Sequence, residues 1–107
     1  MNLPKVIADL VAAQNNFDSA AYVKCFSDNA VVKDEGRTHN GKEEIEAWIA
    51  DSNERYRATI KPAGYEEHET ESILKAETSW NFPGSPIVLN YHLVITDGLI
   101  QSLKFTV

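Results

Sequence analysis

A chain of 107 residues has room for one domain, and at this size it can bury a core without disulfides or a metal. Its 16 acids against 10 Lys and Arg give a formal net charge of −6, which argues against a phosphate-backbone partner and against docking on an anionic membrane. The 43% hydrophobic and 24% charged content is that of an ordinary globular protein. A lone cysteine, Cys25, leaves no internal disulfide to expect and no mark of an oxidising compartment. Lys5 and Asp9 interrupt the start, so no signal peptide is expected. No stretch approaches the roughly 20 apolar residues of a membrane span. The expectation is a single cytoplasmic domain over 1–107.

In chain order, Leu3, Val6, Ile7, Leu10 and Val11 recur at helical spacing, with Pro4 suited to a first turn. Gln14-Asn15-Asn16 ends this helix. Asp18 reads as an N-cap, with Phe17 and Tyr22 spaced as a hydrophobic staple. A short second helix is predicted to about Phe26, then a turn at Ser27-Asp28-Asn29. Ala30 to Asp34 reads as a short strand, and Glu35 to His39 as a polar loop. Asn40 followed by Glu43 resembles a capping box for a third helix, with Ile45, Trp48 and Ile49 as its buried stripe and an end near Asn53.

Helical periodicity then stops. Four longer strands are predicted, at roughly 56–68, 71–82, 86–96 and 99–107. Pro62 and Gly64 point to an edge position or a bulge in the first of them. Phe82-Pro83-Gly84-Ser85-Pro86 is a turn, and Asp97-Gly98 is a two-residue hairpin turn. That hairpin poses a conflict. Plain pairing from Ile95 opposite Ile100 puts Leu103 and Phe105 on the face away from Tyr91 and Leu93. Either a bulge near Gln101-Ser102 restores the register, or both faces are covered, the second by another subunit.

Helix, helix, strand, helix and four strands is an order that resembles the nuclear transport factor 2-like superfamily, in its SnoaL-like branch of polyketide cyclases and ketosteroid isomerase-like proteins. The segments that carry the resemblance are Phe26 to Gly36, His39 to Trp48, the Phe82 to Pro86 turn, and Asp97-Gly98-Leu99-Ile100 with Leu103. It implies an α+β barrel: a cone with three N-terminal helices packed on a strongly curved, mainly antiparallel sheet. It also implies a homodimer through the sheet. The superfamily holds isomerases, cyclases, dehydratases and epoxide hydrolases beside non-catalytic association domains, so the fold leaves function to the residues of the pocket.

Asp34 is the leading candidate. It follows an apolar strand and matches the position where the ketosteroid isomerases carry their general base. A carboxylate against an apolar wall can abstract a proton α to a carbonyl. The enolate oxygen then needs a hydrogen-bond donor. The isomerases' first-helix tyrosine is matched here by Leu10, and their strand aspartate by Leu89-Asn90-Tyr91-His92, which contains no acid. Steroid isomerase chemistry with that constellation is therefore not expected; Tyr91, Asn90 or Tyr22 are the substitutes available. His39, five residues on from Asp34, either pairs with it as acid or base or packs locally in its loop.

Tyr22, Trp48, Tyr56, Trp80, Tyr91 and Phe105 are candidates to line an apolar ligand pocket, the alternative being ordinary core packing. His92 faces opposite to Tyr91 on one strand. His68, among Glu66, Glu67, Glu69 and Glu71, reads as a solvated edge and not as a metal site. Cys25 has the setting of an inert thiol. The sequence has no Gly-rich phosphate loop, CxxC, HExxH or GxSxG, so no cofactor and no metal are expected. Two functions follow: a cofactor-independent isomerase, cyclase or lyase moving a proton on a small apolar carbonyl compound, or a non-catalytic domain that binds a hydrophobic ligand or dimerises.

Overall fold

The computed structural model describes residues 2–107. It contains α1 (Lys5–Asn15), α2 (Ser19–Val23), β1 (Phe26–Asp34), β2 (Arg37–Asn40), α3 (Gly41–Tyr56), β3 (Thr59–Glu67), β4 (Ser72–Ser79), β5 (Ile87–Thr96) and β6 (Leu99–Thr106). The strands form one six-stranded sheet in the order β2-β1-β6-β5-β4-β3. Every pairing is antiparallel except β1 with β6. Register shifts in β1, in β3 between Pro62 and Gly64, and in the β5–β6 pair bend the sheet around the helices. The result is the α+β architecture anticipated, and β3 is both an edge strand and bulged.

The hairpin conflict resolves by a bulge. Asp97 and Gly98 form the turn, both with positive φ. Ile95 pairs with Ile100 but Val94 pairs with Ser102, which leaves Gln101 as the extra residue. Leu103 then meets Leu93 and Phe105 meets Tyr91 on the inner face. Among the described residues, no helix is long and apolar enough to cross a membrane.

Five local expectations are corrected. α2 stops at Val23, not Phe26, because the Ile100 N–H bonds to the Cys25 carbonyl at 2.8 Å and draws Phe26 into the sheet opposite Ile100. Ser27-Asp28-Asn29 is therefore strand and not turn. The loop from Glu35 to His39 is a hairpin: Glu35 and Gly36 make the turn with φ of 51° and 77°, and β2 follows. The Asn40 side chain makes no capping bond; the reciprocal half survives, from the Asn40 N–H to Glu44 Oε1 at 2.8 Å, one residue beyond Glu43. α3 continues past Asn53 to Tyr56 and is closed by Arg57 in the left-handed region at φ 47°, so the next strand starts at Thr59.

The staple is also replaced. Phe17, itself left-handed at φ 53°, lies under the Arg57 guanidinium at 4.2 Å. Tyr22 packs instead on Phe26 and Trp48. The polar run that ends α1 is a clamp. Asn15 exchanges two hydrogen bonds with the backbone of Ile60, at 2.7 and 3.0 Å, and so covers part of the β3 edge. Gln14 reaches Asn53 and the Ala58 carbonyl. The core sits between α1, α2, α3 and the inner sheet face, where Ile7, Leu10, Phe26, Leu93, Ile100 and Leu103 are fully buried.

Candidate functional site

Strand alternation aims Asp34 inward. Ala30 and Val32 are buried on β1, and Asp34 is the next residue on that face and the last of the strand. On α3 the four-residue spacing of Trp48, Ser52 and Tyr56 places them on one side. On β4, Thr78 continues the inward row of Leu74 and Ala76; on β5 and β6, Tyr91 and Phe105 stand opposite one another. These residues surround a cavity of about 190 Å³, with Trp80 just past β4, Tyr22 from α2 and Gln14 from α1 also in its wall. All six aromatic candidates thus line one space that also receives Asp34.

The rings interlock. Tyr91 and Phe105 meet edge to face at 4.8 Å, and Trp48 lies 6.1 Å from Phe105 and 6.2 Å from Tyr22. The Trp48 indole N–H donates to Asp34 Oδ2 at 3.2 Å, which fixes the carboxylate against the wall. Tyr22 and Tyr91 are almost wholly buried. Burial pushes the Tyr22 hydroxyl well above the ordinary tyrosine range, with added push from Tyr91, Cys25 and Asp34. Burial also raises Tyr91 to about 12; the neighbouring Thr78 hydroxyl pulls it down and the Asp34 charge pushes it up. Both phenols stay protonated at neutral pH, so both are donors near a carboxylate.

The remaining candidates lie elsewhere. His39 makes no hydrogen bond to Asp34. Its ring stacks on Trp48 at 5.5 Å, and it lines an outer groove of about 610 Å³ that shares Asp34, Glu35, Trp48, Ser52 and Tyr56 with the cavity. β2 runs as a strand that pairs His39 with Val32 and Arg37 with Asp34, and the His39 ring packs on the Trp48 indole. Leu10 is buried in the core. Asn90 is not in the cavity wall, and His92 bonds Glu71 at 3.2 Å and Thr106 at 2.7 Å away from it. His68 contacts Glu66 at the exposed edge. Cys25 is buried, and burial holds its thiol at about 11. Among the described residues no three His, Cys, Asp or Glu side chains converge as a metal site.

Sequence reasoning did not assign Gln14, Ser52 or Thr78 to the site. Ser52 was signalled by its helical spacing from Trp48, and Thr78 by alternation with Ala76. Gln14 had no local signal.

Among solved structures, the chain is 30% identical, at a TM-score of 0.91, to a Sinorhizobium meliloti protein provisionally named a polyketide cyclase; the match covers 97% of this chain and 95% of that one. It is 17% identical, at a TM-score of 0.87, to a hypothetical protein with a ketosteroid isomerase-like fold from Catenulispora acidiphila, in complex with trimethylamine, over 99% of this chain and 87% of that one. SalBIII, an epoxide hydrolase/cyclase-like enzyme in pyran ring formation in the polyether salinomycin, is 19% identical at a TM-score of 0.80, over 94% and 86%. The last two likenesses speak for fold alone. No protein-family model and no curated protein matches the sequence.

Proposed function

Because this chain belongs to the nuclear transport factor 2-like superfamily, in its SnoaL-like branch, we propose that it binds a compact apolar carbonyl compound in the aromatic cavity and moves a proton on it, with Asp34 as the base. One observation carries the reading: Asp34 is held by the Trp48 indole in the wall of a space that two buried, protonated tyrosines also enter. The donors that Leu10 and the strand region do not supply in the expected way come instead from Tyr22 and Tyr91.

The step balances without a further reactant. The Asp34 carboxylate takes a proton from the carbon α to the carbonyl, and the C–H electron pair moves into the enolate. A tyrosine hydroxyl donates to the developing oxyanion. The protonated Asp34 then returns the proton at another carbon, or the enolate carbon closes on an electrophile, or a leaving group departs. These are isomerisation, cyclisation and elimination. The cyclase name given to the Sinorhizobium meliloti relative lends weight to the second.

Asp34→Asn keeps the size and the bond from Trp48 but removes the base. Turnover of a true substrate should fall by about 10²- to 10⁴-fold while the unfolding midpoint stays put. Unchanged turnover in a folded Asp34→Asn protein sinks the assignment. Homodimerisation through the sheet is a further proposal. It is supported by Val88, Val94 and Val31, which stay accessible on the outer face, and light scattering at tens of micromolar tests it. The Gln101 bulge removes the register argument that also favoured a covered second face.

A further inference from the structure

Ile7, Leu10 and Gln14 lie on one stripe of α1, and all three are buried, Gln14 at 6% exposure. A glutamine in such a stripe is costly unless its amide is satisfied. Half of it is. Gln14 Nε2 donates to the Ala58 carbonyl at 2.7 Å and to Asn53 Oδ1 at 3.2 Å. A backbone carbonyl only accepts, so Ala58 dictates which end of the amide is nitrogen. Both N–H groups are then committed. Oε1 has no hydrogen-bond partner among the described residues, yet it is not sealed off as Asn53 Nδ2 is, and the side chain lines the cavity.

We infer that Gln14 is a specificity-determining residue: its Oε1 accepts a hydrogen bond from a hydroxyl or N–H on the ligand. This rests on the carbonyl-compound reading of the cavity and deepens it. The two tyrosine hydroxyls are donors suited to the ligand's carbonyl, and no lysine or arginine lines the wall. Gln14 adds a neutral acceptor whose orientation cannot reverse. The substrate class is therefore a compact carbonyl compound that carries a donor of its own, such as a hydroxy ketone. An analogue without that donor leaves the buried oxygen unpaired.

The test is an NMR titration of the whole protein with acetophenone and with 3-hydroxyacetophenone. The hydroxy compound should bind the native protein roughly three- to tenfold tighter, the worth of one neutral hydrogen bond. In Gln14→Met that ratio should fall to about one while the affinity for acetophenone stays within about twofold, a pattern that a purely structural role for Gln14 does not produce. A ratio near one in the native protein, or a preference that survives in Gln14→Met, overturns the inference but leaves the cavity reading standing. No binding of either ketone at millimolar concentration overturns both. Should Gln14→Met not fold, the native complex decides: nuclear Overhauser contacts from the Gln14 side chain to the ring protons beside the hydroxyl are expected, and their absence overturns the inference.

Discussion

The two ends of the cone use the same elements and differ in what they carry. At the closed end α1 presents Ile7 and Leu10, β1 presents Phe26 and Val32, α3 presents Ile45, and β5 and β6 pair Leu93 with Leu103. One or two turns or residue pairs along, the same rows read Gln14 on α1, Asp34 on β1, Ser52 and Tyr56 on α3, and Tyr91 opposite Phe105. The side chains of the first set, aliphatic except for Phe26, are fully buried, each worth about 1.5–3 kcal/mol on burial. Aromatic and polar ones hold a space open at the other end. Stability is concentrated where the rows are aliphatic, and chemistry is available only where they change.

Substitutions at the two ends should therefore fail differently. The largest stability effect belongs to the closed end. Leu93→Ala leaves a hole in a fully buried layer and should cost about 2–5 kcal/mol by urea denaturation, with ligand affinity preserved in the folded fraction. A loss of under about 1 kcal/mol would break the contrast, since it would mean that this end is not the tightly packed one.

Tyr91→Phe probes the open end through pH. The folded-state pKa, about 12, lies above the ordinary value of 10, so the contribution of the hydroxyl is fully present below pH 10 and is lost as pH rises toward 12. The native protein should lose on the order of 2 kcal/mol across that window, with Tyr22 adding to the decline in the same direction. In Tyr91→Phe the slope should be shallower over that window, read as urea midpoints from pH 9 to 12. An unchanged slope would mean that the phenol is not buried as described.

The smallest effect is expected outside the cone. His92→Gln removes contacts to Glu71 and Thr106 on the outer sheet face and should change stability by under about 1 kcal/mol, with ligand affinity untouched. A measurable loss of binding would show that the outer face communicates with the cavity.

Much of this was legible along the chain because side-chain direction is a local property. Asp34 could be singled out as the residue that follows an apolar strand, but its inward direction became legible only once Ala30 and Val32 were seen to be buried on the same face. Asp97-Gly98 needs left-handed backbone, and the conflict it created left two resolutions, a bulge near Gln101-Ser102 or a covered second face, of which Gln101 makes the first. Glu35-Gly36 was harder to read because only its glycine carries the hairpin signal. The six aromatic candidates were nameable as a set; that they share one cavity was not.

By itself, then, the sequence determined the α+β class, the apolar stripes of the first and third helices, and the alternation that puts Ile87, Leu89, Tyr91, Leu93 and Ile95 on one strand face. Each of these follows from periods of 2 and 3.6 residues that need no partner. Only the tertiary structure decided how far α2 runs, because a hydrogen bond from Ile100 to Cys25 ends it from across the chain. The tertiary structure also put Trp48, not His39, against Asp34, and left Gln14 with one free oxygen. Those outcomes depend on groups distant in sequence meeting at hydrogen-bond range, a condition that no local pattern encodes.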